Sequence, residues 1–244
     1  MPPGVSASKR NRVDAFAVNG LLAGHSGRSR VSLYAVLDTE EMVARCQKGD
    51  GAAFRQLFTR HRAEVARLVF RMIGPKAELE DIIQEVFLQV HRSLKDFRGQ
   101  SKFTTWLHRV TVNVVLMHKR AARSRPQLVH PQVDETRADG RLAPDEDVAR
   151  LERMRAFRRL IDRLAEKKRT VFLLHELEGL SPADISKIVD APVLTVRTRL
   201  FYARRELAEM LKEEPCLASF AQAFEKSGAG DEAELSGKAA EEVR

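Results

Sequence analysis

Residues 179–207, GLSPADISKIVDAPVLTVRTRLFYARREL, hold the densest set of side chains able to engage another molecule. Arg197, Arg199, Arg204 and Arg205 recur among Thr195, Thr198, Phe201 and Tyr202. Guanidinium forks, hydroxyls and aromatic rings in one segment suit phosphates and guanine edges. Nothing comparable exists for making or breaking bonds. The carboxylates and seven His show no H-E-x-x-H or EF-hand spacing, and neither a Walker loop nor a Gly-x-Ser-x-Gly elbow occurs. His175-Glu176 has no third ligand in sequence. Cys46 and Cys216 are far apart and outside any Cys-x-x-Cys pair, which argues against a zinc or redox site. No catalytic residue, metal or cofactor is expected.

The elements that must position these side chains read as a helix-turn-helix. Ser181 is an N-cap, Pro182 takes the first helical position where its missing N–H costs nothing, and Asp184 completes a capping box. Asp190-Ala191-Pro192 breaks that short helix, and a second begins within three residues, forcing the tight crossing used by DNA-binding units. On a helical wheel with Val196 at zero, Leu200, Ala203, Leu207, Met210 and Leu211 fall within about 60° and form the core face. Leu194, Thr198, Phe201, Tyr202 and Arg205 lie opposite, flanked by Arg197, Arg199 and Arg204. Such a face fits a major groove; the alternative is a solvated basic helix closing a bundle.

The rest of the chain also reads as helices, giving an all-α fold of two small domains on a flexible linker. Residues 1–37 are rich in Gly, Ser, Arg and Ala without a period, as a disordered extension or an upstream start-site artefact would be. Asp38 and Glu41 can box a short helix, and Asp50 caps a longer one that stops at Gly74. A third helix runs from about Ala77 to Leu94, with Ile82, Ile83, Val86, Phe87, Val90 and Leu94 on one face. A Gly-containing loop, KDFRGQSK, leads to a fourth helix from Phe103 to about Arg123, with Phe103, Trp106, Leu107, Val110, Val114 and Met117 as its stripe. Residues 38–123 form one domain, 124–146 a Pro-containing linker, 147–212 a second domain and 213–244 an acidic tail.

Charge sharpens this division. The 244 residues contain 42 Lys plus Arg against 34 Asp plus Glu, a net of +8. Eight acids and three bases in 213–244 make that tail −5, leaving +13 on the body. Such a body suits a polyanion, with RNA, DNA and an acidic protein equally open on charge alone, and attraction between tail and body is expected at low salt. No apolar run approaches the roughly 20 residues of a membrane span. Asp14 and Asn19 interrupt what would be the apolar core of a secretory signal, so a cytoplasmic location without membrane insertion is expected.

With the helix-turn-helix, three further stretches resemble the sigma-70 family, specifically its extracytoplasmic-function (group IV) sigma factors. They are KGDGAAF (Lys48 to Phe54), EDIIQEVFLQVHRSL (Glu80 to Leu94) and FRGQSKFTTWLHRVTVN (Phe97 to Asn113), in the family's order and spacing. The resemblance covers about 39–123 and 147–212. It implies a transcription initiation factor that binds core RNA polymerase through the β′ clamp helices and β flap, recognises minus-35 and minus-ten promoter elements and promotes melting. Asp81, Gln84, Glu85, Leu88 and Gln89 match the helix that docks on the clamp. Phe97, Arg98, Gly99, Ser101 and Lys102 match the loop that captures a flipped minus-ten base. An aromatic surface, a guanidinium and backbone donors can offset the few kcal/mol of unstacking. Phe97 is open to base contact or core packing, and Trp106 also falls in the buried stripe. Asn113 matches the same pocket, while Lys119 and Arg120 extend positive charge toward duplex phosphate.

Two residues depart from the family pattern: Leu194 stands where Gly is usual, and Asp190 where a turn Gly is frequent. Asp tolerates the left-handed conformation better than most residues. The resemblance further implies an anti-sigma protein that covers the binding faces. A stand-alone helix-turn-helix regulator, and an enzyme with a C-terminal DNA-binding module, are the alternatives.

Overall fold

The structure is a computed structural model that describes residues 39–124 and 145–221, leaving aside the side chains of 145–147. The extension, the Asp38 cap, linker residues 125–144 and the tail beyond Ala221 lie outside the described residues. The described residues belong to two compact units, and helices and turns account for both with no strand among them.

The first unit contains α1 (Thr39–Gln47), α2 (Gly51–Ile73), α3 (Leu79–Ser93), a 3₁₀ turn (Leu94–Asp96) and α4 (Phe103–Ser124). The Asp50 carboxylate starts α2 by accepting from the Ala52 and Ala53 N–H groups at 2.8 and 3.0 Å. Its other oxygen accepts from Arg45 at 2.8 Å, so the cap also ties α1 to α2. The Ala53 N–H and the Arg45 side chain hold the Asp50 carboxyl below the usual carboxylate range. Gly74, at φ 81°, closes α2 in a conformation that a Cβ would oppose. Leu57, Leu68, Val69, Ile82, Ile83, Val86, Val90, Leu107 and Val115 fill the space between α2, α3 and α4. Each contributes roughly 1.5–3 kcal/mol of burial.

The stripe expected on α4 is only one edge of its buried face. Phe103, Leu107, Val110 and Val114 are buried, but Met117 is 61% exposed and Trp106 only partly buried. Thr111, Val112 and Val115 are buried instead. At 100° per residue the covered arc centres on Thr111, because α4 packs on both α2 and α3 and its buried face is wider than one stripe.

The second unit contains α5 (Asp145–Arg163), α6 (Glu166–Phe172), a π turn (Leu173–Leu177), α7 (Pro182–Val189) and α8 (Val193–Glu213). Ser181 opens α7: its Oγ accepts from the Asp184 N–H at 3.1 Å and donates to the Asp184 carboxylate at 2.7 Å. Asp190 takes φ 50°, the left-handed turn conformation anticipated for it. The domain does not end at 212. α8 runs to Glu213, and Leu217 and Ala221 are buried at 0% and 3%, so the start of the expected acidic tail is part of this unit. Apolar side chains at 217 and 221 provide the burial that the charge count obscured.

Candidate nucleic-acid interface

α8 lies with Val196, Leu200, Ala203, Leu207 and Leu211 of the expected core face buried at 3% or less, while Met210 on the same arc is only partly buried. Tyr202 and Arg205 are exposed, and Thr195, Arg197, Thr198, Arg199 and Phe201 are partly buried. The Thr198 hydroxyl donates to the Leu194 carbonyl at 2.9 Å. Phe201 and Tyr202 meet edge to face at 5.3 Å, while Lys168, ion-paired with Glu206, lies over the Tyr202 ring at 5.5 Å. Val193 and Leu194 add exposed apolar surface at the start of the helix, at 37% and 52%.

Arg204 does not share this face. It is 1% exposed, and its Nε and Nη2 donate to Glu176 Oε1 at 2.9 and 2.5 Å. The buried arc of α8 centres between Leu200 and Arg204, some 50° from Val196 on the wheel, which carries Arg204 inside. Arg204 is therefore buried and not part of the outward face that the wheel expected it to flank. Glu176 comes from the π turn, where the Glu178 N–H reaches back five residues to the Leu173 carbonyl at 3.3 Å. Its side chain also lies 3.3 Å from His175 Nδ1. Burial pushes the Glu176 carboxyl up, but its bond with His175 and the charge of Arg204 outweigh burial and hold it below the usual range.

The loop after α3 is built on aromatic rings. Phe97 packs against Trp106 at 5.2 Å and Phe103 at 5.9 Å between centroids, so its ring is part of the first unit's packing. Arg98, Gly99 and Lys102 are exposed beyond it, and Ser101 is partly buried. Gly99 takes φ 69° with open space where a Cβ would stand. On the adjoining face of α4, Asn113 and Arg120 are exposed in line with Trp106. Arg109 joins them one turn before Asn113, a base that sequence reasoning passed over although its spacing places it there. Lys119 points elsewhere. Its ammonium donates to the Met72 carbonyl at 3.3 Å, at the C-terminal end of α2, where a cation complements the helix dipole. It therefore lies off the exposed line of Arg109, Asn113 and Arg120, where the resemblance had placed it.

Against Phe103 lies a cluster of titratable groups that the sequence did not point to. Glu64 lies 2.9 Å from His61 Nδ1 and 3.4 Å from His108 Nε2, and the His61 ring packs on Phe103 at 5.2 Å. Burial raises the Glu64 carboxyl, yet the hydrogen bond with His61 and the charges of His108, His61 and Arg67 bring it below the usual range. On α3, Asp81, Gln84, Glu85 and Leu88 are exposed and Gln89 partly so, opposite the buried Ile82, Ile83, Val86 and Val90. Leu88 is 50% exposed beside acids, with Glu85 3.7 Å from Arg92.

Residues 57–125 match Sigma-70 region 2, and residues 154–207 match Sigma-70, region 4. The RNA polymerase sigma-H factor of Pseudomonas aeruginosa is 33% identical over 184 residues, 71% of this chain and 93% of that protein. The ECF RNA polymerase sigma-E factor of Escherichia coli K12 is 37% identical over 180 residues, 70% of this chain and 93% of that protein. The solved structure of CnrH in complex with the cytosolic domain of CnrY shares the fold, with a TM-score of 0.54 at 24% identity over 71% of this chain and 97% of that one. The chain belongs to the sigma-70 family, in its extracytoplasmic-function branch. It is a promoter-recognising sigma factor of RNA polymerase and not an enzyme, and the reading as a stand-alone regulator falls away. No helix among the described residues is long and apolar enough to cross a membrane.

Proposed function

We propose that three exposed faces divide the work of initiation. The outward face of α8, with Thr195, Arg197, Thr198, Arg199, Phe201, Tyr202 and Arg205, lies in the major groove of the minus-35 element. The loop Phe97–Lys102, with Trp106, Arg109, Asn113 and Arg120, takes the opened minus-ten strand. Asp81, Gln84, Glu85, Leu88 and Gln89 of α3 dock on the β′ clamp helices of core polymerase, and the second unit meets the β flap. The domains proposed are region 2 over residues 38–123 and region 4 from 147 through Ala221. The factor works in the cytoplasm, and an anti-sigma protein covers these faces when it is idle.

The observation that carries this reading is the separation of chemistry by face. Bases line the exposed side of α4 next to the partly buried Trp106 and the outward face of α8 next to Tyr202, whereas α3 exposes Asp81 and Glu85 around Leu88. Polyanions favour the former through phosphate contacts, and a protein surface suits the latter. Substitutions on each face should impair one step alone. Duplex affinity, strand opening and core affinity, measured separately for Thr198→Ala, Asn113→Ala and Glu85→Lys, test this. Defects spread evenly over all three steps would contradict the division.

A further inference from the structure

We infer that Gln47, at the C-terminal end of α1, is a positioning residue for base capture, fixing the loop that receives the unstacked minus-ten base. The inference rests on the proposed role of that loop. The Gln47 side-chain amide donates both of its N–H bonds to the backbone of the turn that leads into that loop. One goes to the Leu94 carbonyl at 3.0 Å and the other to the Phe97 carbonyl at 2.8 Å, across 47 and 50 residues of sequence. Both acceptors are carbonyl oxygens, so only the nitrogen end of the amide can face them. The Leu94 carbonyl also accepts from the Phe97 N–H at 3.2 Å, so the amide clamps both ends of one turn.

This clamp sits where the loop changes character. Before it, Leu94 is buried at 3%. After it, Arg98, Gly99 and Gln100 are exposed, with Gly99 in the left-handed region. The Phe97 ring is held by Trp106 and Phe103, while its carbonyl is held by Gln47, so both the side chain and the backbone of Phe97 are fixed. A preformed loop spares the ordering entropy that a base would otherwise meet on arrival. Gln47 itself is partly buried and needs no contact with nucleic acid to have this effect.

The test uses Gln47→Glu, which keeps the shape but replaces two donors with a carboxylate facing two carbonyl oxygens, and Gln47→Met, which removes the polar group without adding charge. Holoenzyme made with each variant is measured on a single-stranded oligonucleotide carrying the minus-ten sequence that the wild-type holoenzyme selects from a randomised pool. A matched oligonucleotide has an abasic residue at the captured position. Wild type should lose about tenfold or more in affinity on the abasic strand, the scale of one stacked base. Both Gln47 variants should lose at most about twofold. Core affinity and minus-35 duplex affinity should be unchanged, and the unfolding transition reported by Trp106 should stay cooperative, lowered only by the loss of the two hydrogen bonds.

If the variants keep the wild-type discrimination, the inference is wrong. A loss of core affinity and of the Trp106 transition together with discrimination would make Gln47 a merely structural residue and would also overturn it. Gly99→Val and Arg98→Ala separate this from the reading beneath it. If they too keep full discrimination, the loop does not capture the base; if they lose it while the Gln47 variants retain it, only the role of Gln47 fails.

Discussion

Replacing Arg204 should destabilise the second unit rather than merely weaken a DNA contact. Arg204 is 1% exposed and Glu176 4%, and two guanidinium N–H bonds converge on one carboxylate oxygen. Arg204→Met leaves that carboxylate buried without its main counter-charge, which costs about 3–5 kcal/mol. For a unit of this size that is a fall in midpoint of roughly 12 °C or more. Adding Glu176→Leu should restore most of the loss, since a buried pair replaced by apolar groups is often close to neutral. The chain has one Trp, Trp106, in the first unit, so its fluorescence supplies an internal control while far-UV circular dichroism follows both units. The dichroism transition of the second unit should drop in Arg204→Met and recover in the double variant, with the Trp106 transition unmoved. An unchanged melt accompanied by weaker minus-35 binding would return Arg204 to the DNA face and refute the reasoning. Glu176 also gives this unit an acid dependence. A carboxyl held below its unfolded value contributes fully above the unfolded range, and its contribution is lost as pH falls through the folded value.

Three other outcomes are expected. Arg197→Ala and Thr198→Ala should each weaken minus-35 binding by about 1–3 kcal/mol if they read base edges, with core affinity constant in a competition assay. Glu85→Lys should lower core affinity about tenfold or more, close to 1.4 kcal/mol, with little change in folding because Glu85 is exposed; intact assembly would remove α3 from the interface. Glu64→Gln should flatten the acid limb of first-unit stability, since Glu64 is also held below its usual range and its stabilisation disappears as pH falls. An acid limb identical to wild type by Trp106 fluorescence would show that His61 and His108 do not couple to it.

What could be read from the sequence was whatever is periodic or local. Ser181, Asp184 and Asp50 announce helix starts because their partners lie two or three residues away. Asp190 could be placed in the left-handed turn by its short polar side chain and the proline after Ala191. Contacts across long separations were not legible. The meeting of Arg204 with Glu176 depends on a π turn that no residue pattern advertised, and a 50° error in the core axis of α8 was enough to turn a buried arginine outward. In sequence Lys119 is one more base at a helix end, and its bond to the Met72 carbonyl spans 47 residues. The Glu64 cluster and the Gln47 clamp join elements whose approach only the packed fold reveals.

The central claim, that this chain gives core polymerase both its promoter specificity and its means of opening the duplex, meets its most direct test in reconstituted transcription. Purified chain and core enzyme are mixed with supercoiled DNA carrying the promoter selected by the holoenzyme, and transcripts are mapped. A transcript from one start site that requires both proteins, with permanganate-reactive thymines in the minus-ten element, is the predicted result. Tight binding of the chain alone to closed duplex, with no core association and no transcript, would contradict it.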